Sequence, residues 1–284
     1  MSNTVYQIVT DRIIHLLEEG VCPWRRPWKA MLAQNLVSHK PYQGINSLIL
    51  NSLAYESPYW LTFKQAKEQG GNVKKGEHGT PIIFWRWLEK EREDGEKDTF
   101  PMLRYYTVFN VSQCEGLEGK TPEITVAREI VPCERVISSY GDGPAIHLDG
   151  GDKAFYQPST DSVHMPKRES FESTESYYSV LFHELVHSTG HQKRLGRFES
   201  PDQFLFASTS YSKEELVAEM GASFLCGETG ISSDLSNAAS YIQSWLSVLR
   251  SPKNSKLIVE AAGKAQKAAD YILDRKANRE GGEA

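Results

Sequence analysis

The 284-residue chain lacks several features that would assign its class directly. Its four cysteines, Cys22, Cys114, Cys133 and Cys226, form no C-x-x-C pair, so we expect reduced thiols rather than a cysteine-zinc site or a disulfide framework. No apolar run approaches the ~20 residues that a membrane-spanning helix needs. The first residues also lack the basic segment and apolar core of a signal peptide. We therefore expect a cytoplasmic protein with no membrane partner.

The chain also lacks an excess of positive charge. The formal net charge of -5 argues against a basic coat over the whole surface, but not against a local basic patch, because binding responds to the local field. The length is sufficient for two ordinary domains, each with its own core.

The periodicity of the sequence predicts an α+β architecture. Three helices and two aromatic, β-branched strands fill residues 1–125, and short strands followed by helices fill residues 126–284. We place the domain boundary near 120–130, within a segment poor in aromatics, and expect the tail 276–284 to be disordered. "DSVHMP" is expected to be a short strand. Ser212 is expected to be an N-cap, with Glu215 three residues later.

The stretch "HELVHSTGHQKRL" (183–195) carries the chemistry of the second half. His183 and His187 are one helical turn apart, so both can reach one ion, and the apolar residues around them indicate a buried helix. Glu184 flanks this face, which is where a general base acting on water would stand. His191 is a poor third ligand, because it lies about 12 Å along the helix axis from His183 unless the helix breaks at Gly190.

Residues 25–86 combine cations with aromatic rings. They contain nine basic and three acidic residues, a surplus of six within a chain of net negative charge. Such mixtures suit single-stranded nucleic acid, where cations follow the phosphates and rings stack on unpaired bases. At least half of the rings, Trp60, Trp85 and Trp87 among them, are equally well explained as core residues. The candidate DNA contacts are Trp24, Arg25, Arg26, Trp28, Lys29, Lys64, Lys74 and Lys75.

Several long motifs resemble one known family in the same order along the chain. "WRRPW", "YQGIN", "YWLTFKQAKEQGGNVKKGEHGT" and "VFNVSQ" resemble the N-terminal domain of the ArdC antirestriction proteins, which TraC-type plasmid primases share. "YYSVLFHELVHSTGHQKRL" and "EELVAEMGASFL" resemble the zincin-like domain behind it. The resemblance implies an α+β domain that binds single-stranded DNA without sequence preference, followed by a mostly helical zincin-like domain with a small sheet. It also implies protection of incoming conjugative DNA from host restriction.

The zincin resemblance implies that "DSVHMP" is an edge strand bordering a cleft, and it also suggests the third ligand. In metallopeptidases of the glutamate type, a carboxylate on the next helix binds the metal, and a second one, a turn later, supports a histidine. Carried over, these are Glu215 and Glu219, with Glu214 as an outside candidate. The simpler alternative is that Glu215 only caps its helix and Glu219 is solvated. The donor set accepts one divalent ion, zinc first and manganese also.

Three functions remain open at this point. The first is DNA protection through binding, with the metal domain accessory or acting on a host protein. The second is an active zinc metallopeptidase that cleaves a host protein, with the front half serving only for localisation on DNA. The third is a structural metal site without turnover.

Overall fold

The fold was analysed on a computed structural model. It describes residues 5–19, 22–24, 32–53, 55, 57–91, 97–117, 132–151, 153–198, 209–231, 245–251, 254 and 256–275, without the side chains of 85–91, 97–103 and 209–212.

The first half of the chain builds small sheets with helices packed against them. Its helices are α1 (Val5–Glu18), α2 (Gly44–Ser52) and α3 (Phe63–Glu68). Its strands are β1 (Gln34–Asn35), β2 (Tyr59–Thr62), β3 (Asn72–Val73), β4 (Thr80–Glu91), β5 (Lys97–Asn110) and β6 (Cys114–Glu115). One sheet has the order β1-β2-β5-β4, with β1 parallel to β2 and the other pairs antiparallel, and β3 pairs with β6.

Local sequence accounts for these elements. In α1, Val9, Ile13 and Leu17 recur at helical spacing and are buried, as predicted. The helix α3 begins after Thr62, whose side chain accepts from the Gln65 backbone N–H while the Gln65 side chain accepts from the Thr62 N–H. Both predicted aromatic strands are present, as β4 and β5.

The second half is mainly helical. Its helices are α4 (Cys133–Ser139), α5 (Thr174–Ser188), α6 (Thr209–Thr229) and α7 (Leu257–Ile272), and residues 245–249 are also helical. Its strands are β7 (Ala145–His147), β8 (Phe155–Gln157) and β9 (Ser162–His164). The α+β class is confirmed.

Two local predictions in this half are wrong. The strand within "DSVHMP" is β9, and it lies in the centre of its sheet, between β7 on one side and β8 on the other. Both of its edges are therefore paired, and β8 is the antiparallel strand at the edge. The N-cap at Ser212 is also wrong, because α6 begins at Thr209 and Ser212 lies inside it.

The largest apolar core takes residues from both halves. Ile13 of α1 and Ile49 of α2 belong to the same buried cluster as Phe182 of α5, Leu216 of α6 and Ile258 of α7. A smaller cluster lies on each face of the first sheet. The predicted boundary near 120–130 falls within residues 118–131, outside the described residues, and stays a prediction. Within the described part of the chain, no helix is both long enough and apolar enough to cross a membrane.

Candidate metal centre

Helix α5 carries the two candidate histidines, and local interactions define both of its ends. Ser173 caps it by accepting from the Ser176 backbone N–H at 3.0 Å. The helix ends beside Gly190, where a Cβ atom would lie 2.3 Å from the Phe198 ring. Glycine is therefore needed at this position for the chain to turn back over the end of α5.

A close contact between α5 and α6 brings the third candidate into range. A Cβ atom at Gly221 would lie 2.8 Å from the Val186 side chain, so only glycine lets the two helices approach this closely here. The approach places Glu215, on α6, opposite His183 and His187.

The three side chains converge at distances that suit a single ion. The His183 and His187 Nε2 atoms are 3.1 Å apart, and the Glu215 carboxylate oxygens lie 3.5 Å and 3.3 Å from them respectively. In a tetrahedral site with metal–ligand bonds of about 2.0–2.1 Å, the ligand atoms are about 3.3–3.4 Å apart. In the described part of the chain this is the one group of three His, Cys, Asp or Glu side chains with donor atoms this close together.

Charge balance within the site is set by its carboxylates. Burial opposes a charged imidazole, but Glu214, Glu215 and Glu184 outweigh it and raise the pKa of His187 to about 10. Burial likewise opposes the charged form of Glu215, yet hydrogen bonds with His183 and His187 hold its pKa far below the usual value. The surrounding carboxylates thus favour the charged form of His187, and a divalent ion would supply positive charge at the same place.

Glu214 occupies the position behind His187. Its Oε1 lies 3.7 Å from the His187 Nδ1, on the side of the ring away from Glu215. Arg197 fixes this carboxylate by donating from Nη2 at 2.6 Å and from Nε at 3.2 Å. The same guanidinium donates to the Thr189 Oγ1 at 2.6 Å and to the Val186 carbonyl at 2.9 Å. The buried guanidinium therefore links α6, through Glu214, to the end of α5, through Thr189 and Val186.

From the sequence, Glu214 was predicted only as an alternative metal ligand, and no role was predicted for Arg197. A signal was available, since "HQKRLGRF" sets three basic residues beside the predicted end of a buried helix. A buried cation there requires an anion, and "KEEL" offers two adjacent carboxylates.

Glu219, predicted to support a histidine, bonds elsewhere. Its Oε2 accepts from the Trp24 indole N–H at 2.7 Å, and both side chains are buried. The His183 Nδ1 has no hydrogen-bond partner in the described part of the chain, so Glu219 does not support that histidine. The carboxylate that lies nearest the His187 Nδ1 is that of Glu214, at 3.7 Å.

The other predicted residues of the second half are placed as follows. Glu184 is buried next to His183 and close enough to His187 to raise its pKa. His191 lies in the turn after α5, where its Nδ1 accepts from the Lys193 N–H at 3.2 Å, and it is outside the metal-ligand group.

The predicted DNA contacts divide into three sets. Lys64, Lys74 and Lys75 are exposed. Trp24 is 1% exposed and belongs to the main core, so in this conformation it cannot stack on a base, and we withdraw it from the DNA contacts. Arg25, Arg26, Trp28 and Lys29 lie outside the described residues.

Comparisons with known proteins match both halves. Residues 3–109 match the profile of the N-terminal domain of the anti-restriction factor ArdC, and residues 135–264 match a zincin-like metallopeptidase profile. The chain is 34% identical to an uncharacterized protein of Sinorhizobium fredii, over 94% of this chain and 91% of that one. It is 33% and 34% identical to two DNA primases TraC of Escherichia coli, but spans only 27% and 20% of their lengths.

Solved structures agree with this assignment. The metal-free structure of the antirestriction protein ArdC from plasmid R388 has 37% sequence identity and a TM-score of 0.77, with 96% of this chain and 97% of that one covered. The Mn(II)-bound structure of the same protein gives a TM-score of 0.78, with 98% and 100% covered. With a shared fold over nearly the whole length of both chains, this protein belongs to the ArdC family of antirestriction proteins.

Proposed function

We propose that this protein binds single-stranded DNA without sequence preference and protects incoming conjugative DNA from host restriction in the cytoplasm. The observation that carries the proposal is the match to antirestriction ArdC over nearly the entire chain. The exposed Lys64, Lys74 and Lys75 support it, because exposed cations on the front half can follow a phosphate backbone.

We further propose that the second half holds one divalent ion through His183, His187 and Glu215. Support comes from the near-tetrahedral spacing of their donor atoms and from the existence of an Mn(II)-bound structure of a relative. Zinc suits two imidazoles and one carboxylate, and manganese is compatible with the same donors. Glu214 and Arg197 would hold the His187 ring in place from behind.

Single-strand binding is tested by titrating the full chain into a fluorescent oligothymidylate and reading anisotropy. We expect tighter binding to the single strand than to a duplex of equal length, and an affinity that falls as salt rises. If the three lysines each contact a phosphate, log K should fall with log salt with a slope of about −2, roughly −0.7 per contact. Equal affinity for duplex and single strand would contradict the proposal.

A metallopeptidase acting on a host protein is the second candidate, and the position of Glu184 favours it. A buried carboxylate beside two metal-ligand candidates can accept a proton from water, and a bound divalent ion would make that water more acidic. General bases of this kind contribute about 10²–10⁴-fold to rate.

The substitution Glu184→Gln separates the two candidates. It preserves size while removing the base, so metal and DNA binding should both be retained. We expect unmodified plasmid DNA to enter recipients that express the variant at the same frequency as recipients that express the wild type, because protection arises from binding. The measurement is transfer frequency into restricting and non-restricting recipients. A fall to the level of an empty vector would show that peptidase chemistry is required.

A further inference from the structure

Aromatic side chains of the front half separate clearly by exposure. Trp24 and Trp60 are each 1% exposed and fill cores, as several of the rings were expected to do. Phe63 and Tyr105, in contrast, are 51% and 53% exposed. Rings that are half exposed contribute less to the core than the buried rings do, and their open faces are available to a ligand.

The exposed rings are arranged in a row. The Phe63 ring, at the start of α3, meets the Phe109 ring edge-on, with centroids 6.5 Å apart. Tyr105 lies four residues before Phe109 on β5, so both point to one face of the sheet, about 13–14 Å apart at the rise of a strand. The neighbouring Tyr106 points to the other face, where it packs edge-on against Phe84.

Gly79 lets the side chains of this row pack directly on the backbone. A Cβ atom at Gly79 would lie 2.3 Å from the Thr107 side chain and 2.8 Å from the Phe109 ring. The backbone of residue 79 is thus packed directly beneath these two side chains, and no side chain rises from it.

Two lysines lie beside the Phe63 end of the row. The Lys67 ammonium lies 5.5 Å from the centroid of the Phe63 ring. The Lys64 side chain is exposed beside it, with Glu68 3.6 Å away as a solvent-screened partner. Arg104 is also exposed, but it directly precedes Tyr105 on β5 and therefore points to the opposite face of the sheet. Open rings with cations at one end of the row are complementary to unpaired bases and their phosphates.

We propose that the ring row, defined as Phe63, Phe109 and Tyr105, is the stacking surface for unpaired bases, with Lys64 and Lys67 contacting phosphates. This inference rests on the proposed single-strand binding and assigns it to a particular surface. Its length of about 13–14 Å between Phe109 and Tyr105, extended by Phe63, accommodates on the order of four or more stacked nucleotides.

The test compares two double variants of the full chain by anisotropy with the same oligothymidylate. Phe63→Ala with Tyr105→Ala should weaken binding on the order of 30-fold or more, since each stacked ring contributes at least about a fivefold effect. The matched control is Leu148→Ala with Phe155→Ala, which removes two exposed apolar side chains from the second half and should leave affinity unchanged. Thermal melting should be close to that of the wild type for both, because all four side chains are exposed.

Lysine variants provide an independent readout. Lys64→Gln with Lys67→Gln should make the slope of log K against log salt shallower by about 1.4, whereas the ring variant should leave the slope unchanged. This separation between rings and cations would not result from a general loss of folding.

Each outcome points to one conclusion. If the wild type fails to bind single strands, the proposed function itself is wrong, and the inference with it. If the wild type binds and the ring variant binds equally well, or if the control weakens binding as much, only the inference is overturned. If the ring variant changes self-association in gel filtration and not DNA affinity, the row is a contact between copies of this chain, which also overturns it.

Discussion

Replacing Glu215 by glutamine is expected to lower the affinity for a divalent ion at least a hundredfold. The carboxylate is one of three protein donors at near-tetrahedral spacing, and a neutral amide oxygen offers neither its charge nor its basicity. Structural zinc sites with four ligands bind with about 10–16 kcal/mol, so one ligand accounts for roughly 2.5–4 kcal/mol. Titration calorimetry with Zn²⁺ and with Mn²⁺ on chelator-stripped protein measures the loss.

The matched control is Glu260→Gln, which removes an exposed carboxylate from α7. It should bind metal as the wild type does. Stoichiometric binding that survives Glu215→Gln with little change in affinity would remove Glu215 from the ligand set. Glu214, one residue earlier on α6 and also near His187, would then be the next carboxylate to test.

The substitution Arg197→Met is expected to lower the free energy of unfolding by about 3–5 kcal/mol. The methionine keeps most of the side-chain volume but removes both hydrogen bonds from the guanidinium to the buried Glu214 carboxylate, which remains near the charges of Glu215 and Glu184. It also removes the bonds that fix Thr189 and Val186 at the end of α5. Urea unfolding in the presence of a chelator measures this loss without a contribution from metal.

A double variant separates charge from packing. Arg197→Met combined with Glu214→Met removes both members of the ion pair, so no uncompensated carboxylate remains, and it should be more stable than Arg197→Met alone. A single variant within about 1 kcal/mol of the wild type would show that the pair is effectively solvated. A double variant no better than the single one would show that the cost lies in lost packing and backbone contacts.

Local patterns in the sequence were sufficient for the parts of the fold that local physics determines. Helix α5 could be placed because apolar residues surround His183 and His187, which are one helical turn apart, and the structure has this helix at Thr174–Ser188. Strands β4 and β5 were predicted from their β-branched and aromatic residues. Ser212 fits the capping pattern, with Glu215 three residues later, but α6 already begins at Thr209, so three residues of the helix precede Ser212.

Interactions between distant residues could not be predicted in this way. Trp24 and Glu219 are 195 positions apart, so no periodicity relates them, and the hydrogen bond between them depends on how the two halves pack. Periodicity does not predict the ion pair between Arg197 and Glu214 either, because Arg197 lies before α6 and Glu214 lies within it. Exposure of Phe63 and burial of Trp60, only three residues apart, follow from a strand ending and a helix beginning between them.

The core shared by both halves bears on how such a protein can be dissected. Helix α7 lies near the end of the chain, yet its Gln266 accepts from the Gly44 backbone N–H of α2 at 3.0 Å, and its apolar face joins the cluster that contains α1. A truncation near residue 125 would remove the helices that pack against α1 and α2, and it would expose the apolar faces of α5 and α6 to water. An isolated half could therefore lose activity because its core is exposed and not because a functional residue is missing. Point substitutions in the intact chain are the sounder way to assign roles to residues.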